Sequence, residues 1–105
     1  MNNKIIIING PNINLLGERE QSQYGSITFN KLKEECLAKS KELGLSTEFV
    51  QSNVEGELVN IIQNAREKFD GMIINAAAFT HTSIAIRDAL ELFKNLLLKY
   101  IFQYL

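Results

Sequence analysis

Continuous apolar runs are the feature that most limits how this chain can fold. Lys4–Asn9 reads KIIIIN and Met72–Asn75 reads MIIN, so neither segment alternates apolar and polar residues. A strand buried on both faces reads this way, and such strands occur in parallel sheets covered by helices. Between them, Leu45–Gln51 contains β-branched residues and is predicted to be a further strand.

Three segments with apolar residues at helical spacing alternate with these strands. Thr28 can cap the first helix, Ser52-Asn53 can cap the second, and the third is predicted to begin at about Ser83. Gly44 ends the first helix, the second ends near Lys68, and the third ends near Phe93. The order βαβαβα predicts an α/β fold, a doubly wound parallel sheet of about three strands and three helices with right-handed crossovers.

Composition excludes several classes of protein. A chain of 105 residues is one domain at most, and a net charge of −1 gives no reason to expect nucleic acid or an anionic membrane as a partner. No apolar run approaches the roughly 20 residues of a membrane span. One histidine does not assemble a zinc site, so no metal is expected. The one cysteine, Cys36, excludes an internal disulfide and is expected to be a buried small hydrophobe in a reducing cytosol.

A long polar segment between the first strand and Thr28 contains the most reactive candidates, Arg19 and Tyr24. A tyrosine of ordinary pKa, about 10, is only ~0.1% phenolate at neutral pH, and a nearby guanidinium favours the phenolate. A depression of about two units would make roughly 10% of Tyr24 phenolate, a competent base toward carbon acids. The simpler interpretation is a solvated arginine and a packing tyrosine.

A second group of candidates follows the third strand. In a sheet of order 2-1-3 the first and third strands are neighbours, so Asn12 is expected to face Asn75 at the switch point. Asn75 either binds a ligand or ties the two loops together, because a buried amide needs partners. His81 either binds a polar ligand or caps the third helix. Asp88 on that helix is most simply a solvated charge, and Ser83 lacks the nucleophile elbow of a hydrolase.

Three long motifs resemble type II 3-dehydroquinate dehydratase. They are I-N-G-P-N-x-x-x-L-G-x-R-E-x-x-x-Y-G at 8–25, Q-S-N-x-E-G-E-L at 51–58 and I-N-A-A-A-F-T-H-T-S-x-A-I-R-D-A at 74–89. The resemblance covers Lys4 to about Phe93. It implies a flavodoxin-like fold and a cytoplasmic, cofactor-free homododecamer built from trimers. It also implies a lyase that eliminates water from 3-dehydroquinate through an enolate, in aromatic biosynthesis or quinate catabolism.

The same resemblance implies roles for six residues. Tyr24 matches the general base, Arg19 matches the arginine that keeps the tyrosine ionised, and Asn12 matches the asparagine that holds a water at the developing enolate. The remaining matched positions bind the substrate, and they are Asn75, His81 and Asp88. In the family the aspartate acts at the site of a neighbouring subunit.

Residues 94–105, KNLLLKYIFQYL, depart from the family pattern. The family continues with a strand E-V-H-x-S-N, whose histidine is the general acid and whose Ser-Asn end binds the substrate carboxylate. Residues 94–105 contain no histidine and no Ser-Asn pair. Residues 1–93 are therefore expected to be the first two thirds of a truncated dehydratase domain, weakly active or inactive. The tail shows no turn and strand, so the third strand is expected to be an open edge.

A frameshift is the expected origin of this tail. Leu96–Gln103 can be encoded CTA TTA TTG AAG TAC ATT TTT CAA, and reading from the third base gives Ile-Ile-Glu-Val-His-Phe-Ser. The alternative is a native amphipathic helix or membrane-surface anchor. The nucleotide sequence beyond the codon for Asp88 distinguishes them.

Two further functions stay open from the sequence alone. One is a non-catalytic remnant that only binds or associates. The other is a flavodoxin-like nucleotide-binding module, although the chain has no glycine-rich phosphate loop of the usual spacing.

Overall fold

The computed structural model describes residues 3–17, 27–80 and 82–99. Within these ranges four strands and three helices alternate along the chain. The strands are β1 (Lys4–Asn9), β2 (Ser46–Gln51), β3 (Gly71–Asn75) and β4 (Leu96–Lys99). The helices are α1 (Phe29–Glu42), α2 (Glu55–Ala65) and α3 (Ile84–Glu91). Short 3₁₀ turns follow β1 at Ile13–Leu15 and β3 at Ala77–Thr80.

All strand pairs of the sheet are parallel, and the strand order is β2-β1-β3-β4. Asn9 pairs with Gln51 on one side and with Asn75 on the other, so three strands end side by side. The chain reverses its direction of travel across the sheet between β1 and β3, which is where open α/β sheets place ligands. The predicted α/β fold and the predicted contact between the first and third strands are both confirmed.

Hydroxyl side chains cap two of the three helices, and only the first of these caps, Thr28, was predicted. The third helix was predicted to begin at about Ser83 with His81 as a possible cap, whereas Ser83 itself is the cap and α3 begins at Ile84. Thr28 Oγ1 accepts from the Lys31 N–H at 3.1 Å, and Ser83 Oγ accepts from the Ile86 N–H at 2.9 Å. The cap predicted for the second helix is wrong, because α2 starts after Val54 with no side-chain cap. Ser52 Oγ instead accepts from the Val54 N–H at 3.0 Å and shapes the turn before the helix.

The fourth strand corrects the expectation that the tail adds none. Leu96–Lys99 pairs in parallel with β3 in the register Gly71↔Leu96, so β3 is an internal strand and not the open edge predicted. A run of three leucines after α3 fits a strand in a parallel sheet, because such strands need no alternation. The unpaired backbone groups of β3 supply the hydrogen-bond partners.

The main core lies on the face of the sheet that α2 and α3 cover. Its strand residues are the fully or nearly fully buried Ile6, Ile8, Met72 and Ile74. Across the sheet, α1 packs beside β2, with the rings of Phe29 and Phe49 5.6 Å apart. Cys36 of α1 is only half-buried, not fully buried as expected, because this second face is less completely covered.

None of the helices in residues 3–17, 27–80 and 82–99 is both long enough and apolar enough to cross a membrane.

Candidate functional site

Three neighbouring strands end in residues with a carboxamide side chain. Asn9, Gln51 and Asn75 end β1, β2 and β3, and the two asparagines are 4% and 5% exposed. Asn9 Nδ2 donates to the Val50 carbonyl at 3.0 Å and ties β1 to β2. The parallel register therefore collects hydrogen-bonding groups at one edge of the sheet, directly before the loops that follow β1 and β3.

Gly10 brings these two loops into direct contact. Its N–H donates to the Asn75 carbonyl at 2.8 Å. A Cβ built on Gly10 would lie 2.5 Å from the Ala76 carbonyl oxygen, closer than any real side-chain carbon approaches backbone. Glycine is required here because the two backbones leave no space for a side chain.

Within the described residues, only one of the two polar atoms of the Asn75 side chain makes a hydrogen bond. Its Oδ1 accepts from the Ala77 N–H at 3.1 Å, which fixes the orientation of the amide. Ala77 has φ +52°, a left-handed conformation that is rare for alanine and that this bond helps to hold. The Nδ2 is buried and has no hydrogen-bond partner among the described residues. A ligand group that meets it must therefore be an acceptor, such as a hydroxyl, carbonyl or carboxylate oxygen.

Asn12 stands on the same edge with its side chain exposed. Its backbone is left-handed at φ 69°, and its N–H donates to Asn53 Oδ1 at 2.9 Å. Asn12 occupies the cap position of the 3₁₀ turn, yet its side chain makes no capping hydrogen bond. The carboxamide is therefore available to a ligand, while the backbone is held by a residue from a different strand end.

Gln51 and Asn53 belong to this edge and were missed as site residues. Gln51 Nε2 lies 3.1 Å from the Gly10 carbonyl oxygen and 3.0 Å from Asn53 Oδ1. The signal was in the sequence, since Gln51 ends a parallel strand and Ser52-Asn53 follows it directly at the same edge of the sheet. The sequence placed these residues in a family motif and Ser52-Asn53 at a helix start, but it assigned neither Gln51 nor Asn53 to the site.

The structure describes three of the six predicted site residues. Asn12 and Asn75 lie at the same edge, as predicted. Asp88 lies on the exposed side of α3. The other three, Arg19, Tyr24 and His81, lie outside the described residues. Ser83 is 8% exposed and caps α3, which agrees with rejecting it as a hydrolase nucleophile.

A cavity of about 280 Å³ lies between α1 and the sheet, next to Asn9 and Asn75. Its other walls are mainly apolar, and they are formed by Ile7, Ile8, Leu32, Phe49 and Ile73, with Cys36 among them. Burial raises the pKa of the Cys36 thiol above its ordinary value, and the negative charge of Glu35 raises it further. Cys36 is therefore a neutral thiol at physiological pH and a weak nucleophile. Across residues 3–17, 27–80 and 82–99, no cluster of three His, Cys, Asp or Glu side chains is arranged to hold a metal ion.

Comparisons with known proteins agree on one family. The family model for class II dehydroquinase matches residues 3–99. A 3-dehydroquinate dehydratase of Prochlorococcus marinus is 55% identical over 86 residues, which cover 82% of this chain and 59% of that protein. One from Clostridium perfringens is 55% identical over 89 residues, covering 84% and 62%. The chain thus spans about three fifths of the length of these curated relatives.

A solved structure gives the same result. The type II dehydroquinase of Butyrivibrio crossotus superposes with a TM-score of 0.89 at 39% sequence identity. The match covers 93% of this chain and 69% of that protein.

Proposed function

Because the chain belongs to the class II dehydroquinase family, we propose that it carries the substrate-orienting and proton-abstracting part of a 3-dehydroquinate dehydratase. The reaction would be the anti elimination of water from 3-dehydroquinate to give 3-dehydroshikimate. The base removes a proton from the carbon next to the ketone. The resulting enolate then re-forms the ketone as the β-hydroxyl takes up a proton and leaves as water.

The observation that carries the proposal is the Asn75 amide. A donor with 5% of its residue exposed, fixed in orientation by Ala77 and without a partner among the described residues, suits the hydroxyl oxygen of a polyhydroxylated ring. An unmade hydrogen bond of a buried group costs roughly 1–3 kcal/mol, which a bound hydroxyl would recover. His81 is proposed as a second partner of the ring hydroxyls.

Tyr24 is proposed as the base and Arg19 as the cation that favours its phenolate. Asn12 would hold a water molecule against the enolate oxygen as negative charge develops there. This role is supported by the Asn12 carboxamide, which is exposed at the switch-point edge and makes no capping hydrogen bond to the 3₁₀ turn. An interaction that stabilises the negative charge of the transition state raises the rate more than an interaction that stabilises the bound ketone equally well.

Turnover by the 105-residue chain is expected to be slow. Its one histidine is His81, so no second histidine stands where the family places its general acid. General acid catalysis typically contributes about 10²–10⁴-fold. Proton abstraction does not need that acid, and it is the step this chain should still perform.

Assembly is part of the proposal. Asp88 lies on the exposed side of α3, where it is free to contact another subunit. We therefore assign it to the site of a neighbouring subunit in a homododecamer, in the cytoplasm and without a cofactor. A chain that only binds the substrate, or only associates, is the alternative that the following experiment distinguishes.

The test follows proton exchange rather than elimination. The purified chain is incubated with 3-dehydroquinate in D₂O, and deuterium at the carbon next to the ketone is measured by NMR. Exchange well above buffer is expected, and Tyr24→Phe should slow it by roughly 10²–10⁴-fold. Tyr104→Phe is the matched control and should leave the rate unchanged.

A second arm addresses binding. Asn75→Asp removes the Nδ2 donor but retains an oxygen for the Ala77 N–H, so substrate affinity should fall roughly tenfold or more. Binding without exchange would support the non-catalytic alternative. Exchange that survives Tyr24→Phe unchanged would show that the base is assigned wrongly.

A further inference from the structure

We propose that Gln51 and Asn53, at the end of β2, are positioning residues that set the backbone at Asn12. The inference depends on the proposed function only for the role given to the Asn12 side chain. The contacts themselves join residues 41 positions apart in the sequence.

The connection runs through one carboxamide. Asn53 Oδ1 accepts from the Asn12 N–H at 2.9 Å and from Gln51 Nε2 at 3.0 Å. Gln51 Nε2 is also 3.1 Å from the Gly10 carbonyl oxygen and 3.3 Å from Asn14 Oδ1. Two side chains of the β2 end thus contact the loop after β1 before, at and after Asn12.

This loop needs such support because Asn12 is left-handed. The conformation costs a residue with a Cβ up to roughly 1–2 kcal/mol, although asparagine tolerates it better than most. Asparagine usually offsets this cost by hydrogen-bonding to its own backbone surroundings. Asn12 makes no cap of that kind, and Asn53 supplies the backbone contact instead. The Asn12 carboxamide is consequently not committed to holding its own turn.

The left-handed turn also decides where neighbouring side chains point. Asn12 is exposed at the edge, while Ile13 directly after it is 1% exposed and packs with Leu16 and Ala77. A different φ at Asn12 would redirect its exposed side chain or pull Ile13 out of its cluster. The β2 end therefore determines the geometry of a residue on the β1 loop.

The proposed contacts require a hydrogen-bond acceptor at position 53 and a donor at position 51. Asn53 must present an acceptor, so Asn53→Asp should retain the contact and Asn53→Ala should remove it. Gln51 must present a donor, because it faces oxygens at Gly10, Asn14 and Asn53. Gln51→Glu has the same shape but brings a carboxylate against these oxygens, so it should disturb the loop.

The test measures hydrogen exchange of the Asn12 amide by NMR in the ¹⁵N-labelled 105-residue chain. Asn53→Ala should speed exchange of this amide roughly tenfold, the loss of one net hydrogen bond. Asn53→Asp should return it to within about twofold of the wild-type rate, and Gln51→Glu should speed it as Asn53→Ala does. The Gly10 amide, which donates to Asn75, is the internal reference and should not change in Asn53→Ala.

The same variants are then assayed for deuterium exchange into 3-dehydroquinate. Asn53→Ala should lower that rate and Asn53→Asp should restore it, which a general loss of stability would not produce. Failure of the wild-type chain to exchange substrate protons counts against the proposed function and leaves the amide result intact. An Asn12 amide that exchanges at the wild-type rate in Asn53→Ala overturns the positioning role. Global unfolding by either Asn53 variant would also overturn it, since Asn53 is exposed and its proposed effect is local.

Discussion

On one face of the sheet α2 and α3 lie side by side over β1 and β3, whereas on the other face α1 packs beside β2. Adjacent residues of one strand show the consequence. Ile74 faces α2 and α3 and is 2% exposed, while Ile73 faces the other way and is only half-buried. Ile8 and Ile7 of β1 differ in the same way.

The two buried asparagines of the candidate site lie on the less covered face. Alternate residues of a strand lie on the same face, so Asn9 lies on the face of Ile7 and Asn75 on the face of Ile73. All four line the cavity of about 280 Å³ next to α1. We call the face covered by α2 and α3 the closed face and the face beside α1 the open face. The closed face supplies most of the buried apolar surface, and hence most of the hydrophobic stabilisation. Most of the core packing and the candidate ligand-binding residues Asn9 and Asn75 are thus divided between the two sides of the same strands, and the following predictions test how differently the two sides are packed.

The largest effect is expected from shortening a side chain on the closed face. Ile74→Ala removes buried methyl groups from a packed core and should lower the free energy of unfolding by roughly 2–5 kcal/mol. Its neighbour Ile73→Ala should cost about 1 kcal/mol or less, because Ile73 is partly solvated and borders a cavity. Urea unfolding of both variants gives the comparison. Equal losses would show that the two faces are packed alike.

Enlarging a side chain should again destabilise the face covered by α2 and α3 more than the other face. The loss in the free energy of unfolding should be smaller than that from Ile74→Ala. Ala65 of α2 is 1% exposed, so Ala65→Leu should overpack the closed face and cost roughly 1–3 kcal/mol. Cys36→Leu extends into the cavity and should change stability by less than about 0.5 kcal/mol, or raise it. Thermal unfolding measured by circular dichroism tests the pair. A loss from Cys36→Leu as large as that from Ala65→Leu would show that the cavity cannot admit the extra carbons.

The smallest effect concerns the Cys36 thiol, because the shift in its pKa reflects how far burial on the open face removes the thiol from water. Because its pKa is raised above the ordinary 9.0, its reaction with a disulfide reagent should reach half-maximal rate above pH 9.0. Glu35→Gln should move this midpoint down, since the Glu35 charge is the lesser cause of the shift. Glu34→Gln is the control of equal charge change.

The same shift fixes the sign of a stability effect. The unfolded thiol ionises near 9.0 and the folded thiol ionises higher, so folding favours the protonated form. This contribution is complete below pH 9.0 and is lost as the pH rises through the folded pKa. Unfolding midpoints that do not fall across that range, relative to Cys36→Ser, would contradict it.

Much of the architecture was readable from local patterns. The apolar runs at Lys4–Asn9 and Met72–Asn75 predicted the two central strands within one residue, because a strand buried on both faces has no polar alternation. Thr28 was predicted to cap α1 because a hydroxyl before an amphipathic run has one common use, whereas Ser83, the cap of α3, was predicted to be the first residue of that helix. The cap of α2 and the strand at Leu96–Lys99 were misjudged, since both depend on what the backbone meets in space.

The sequence by itself determined which residues follow each strand, and therefore that Asn12 and Asn75 end at the same edge of a parallel sheet. It also determined the family, through motifs whose spacing is written along one chain. Only the tertiary structure decided that Asn75 Oδ1 accepts from the Ala77 N–H while Nδ2 meets no acceptor in the described part of the chain, and that Asn53 holds the backbone of Asn12. Those facts concern hydrogen bonds whose direction depends on which atoms meet, and strand register brings residues together without orienting their amides.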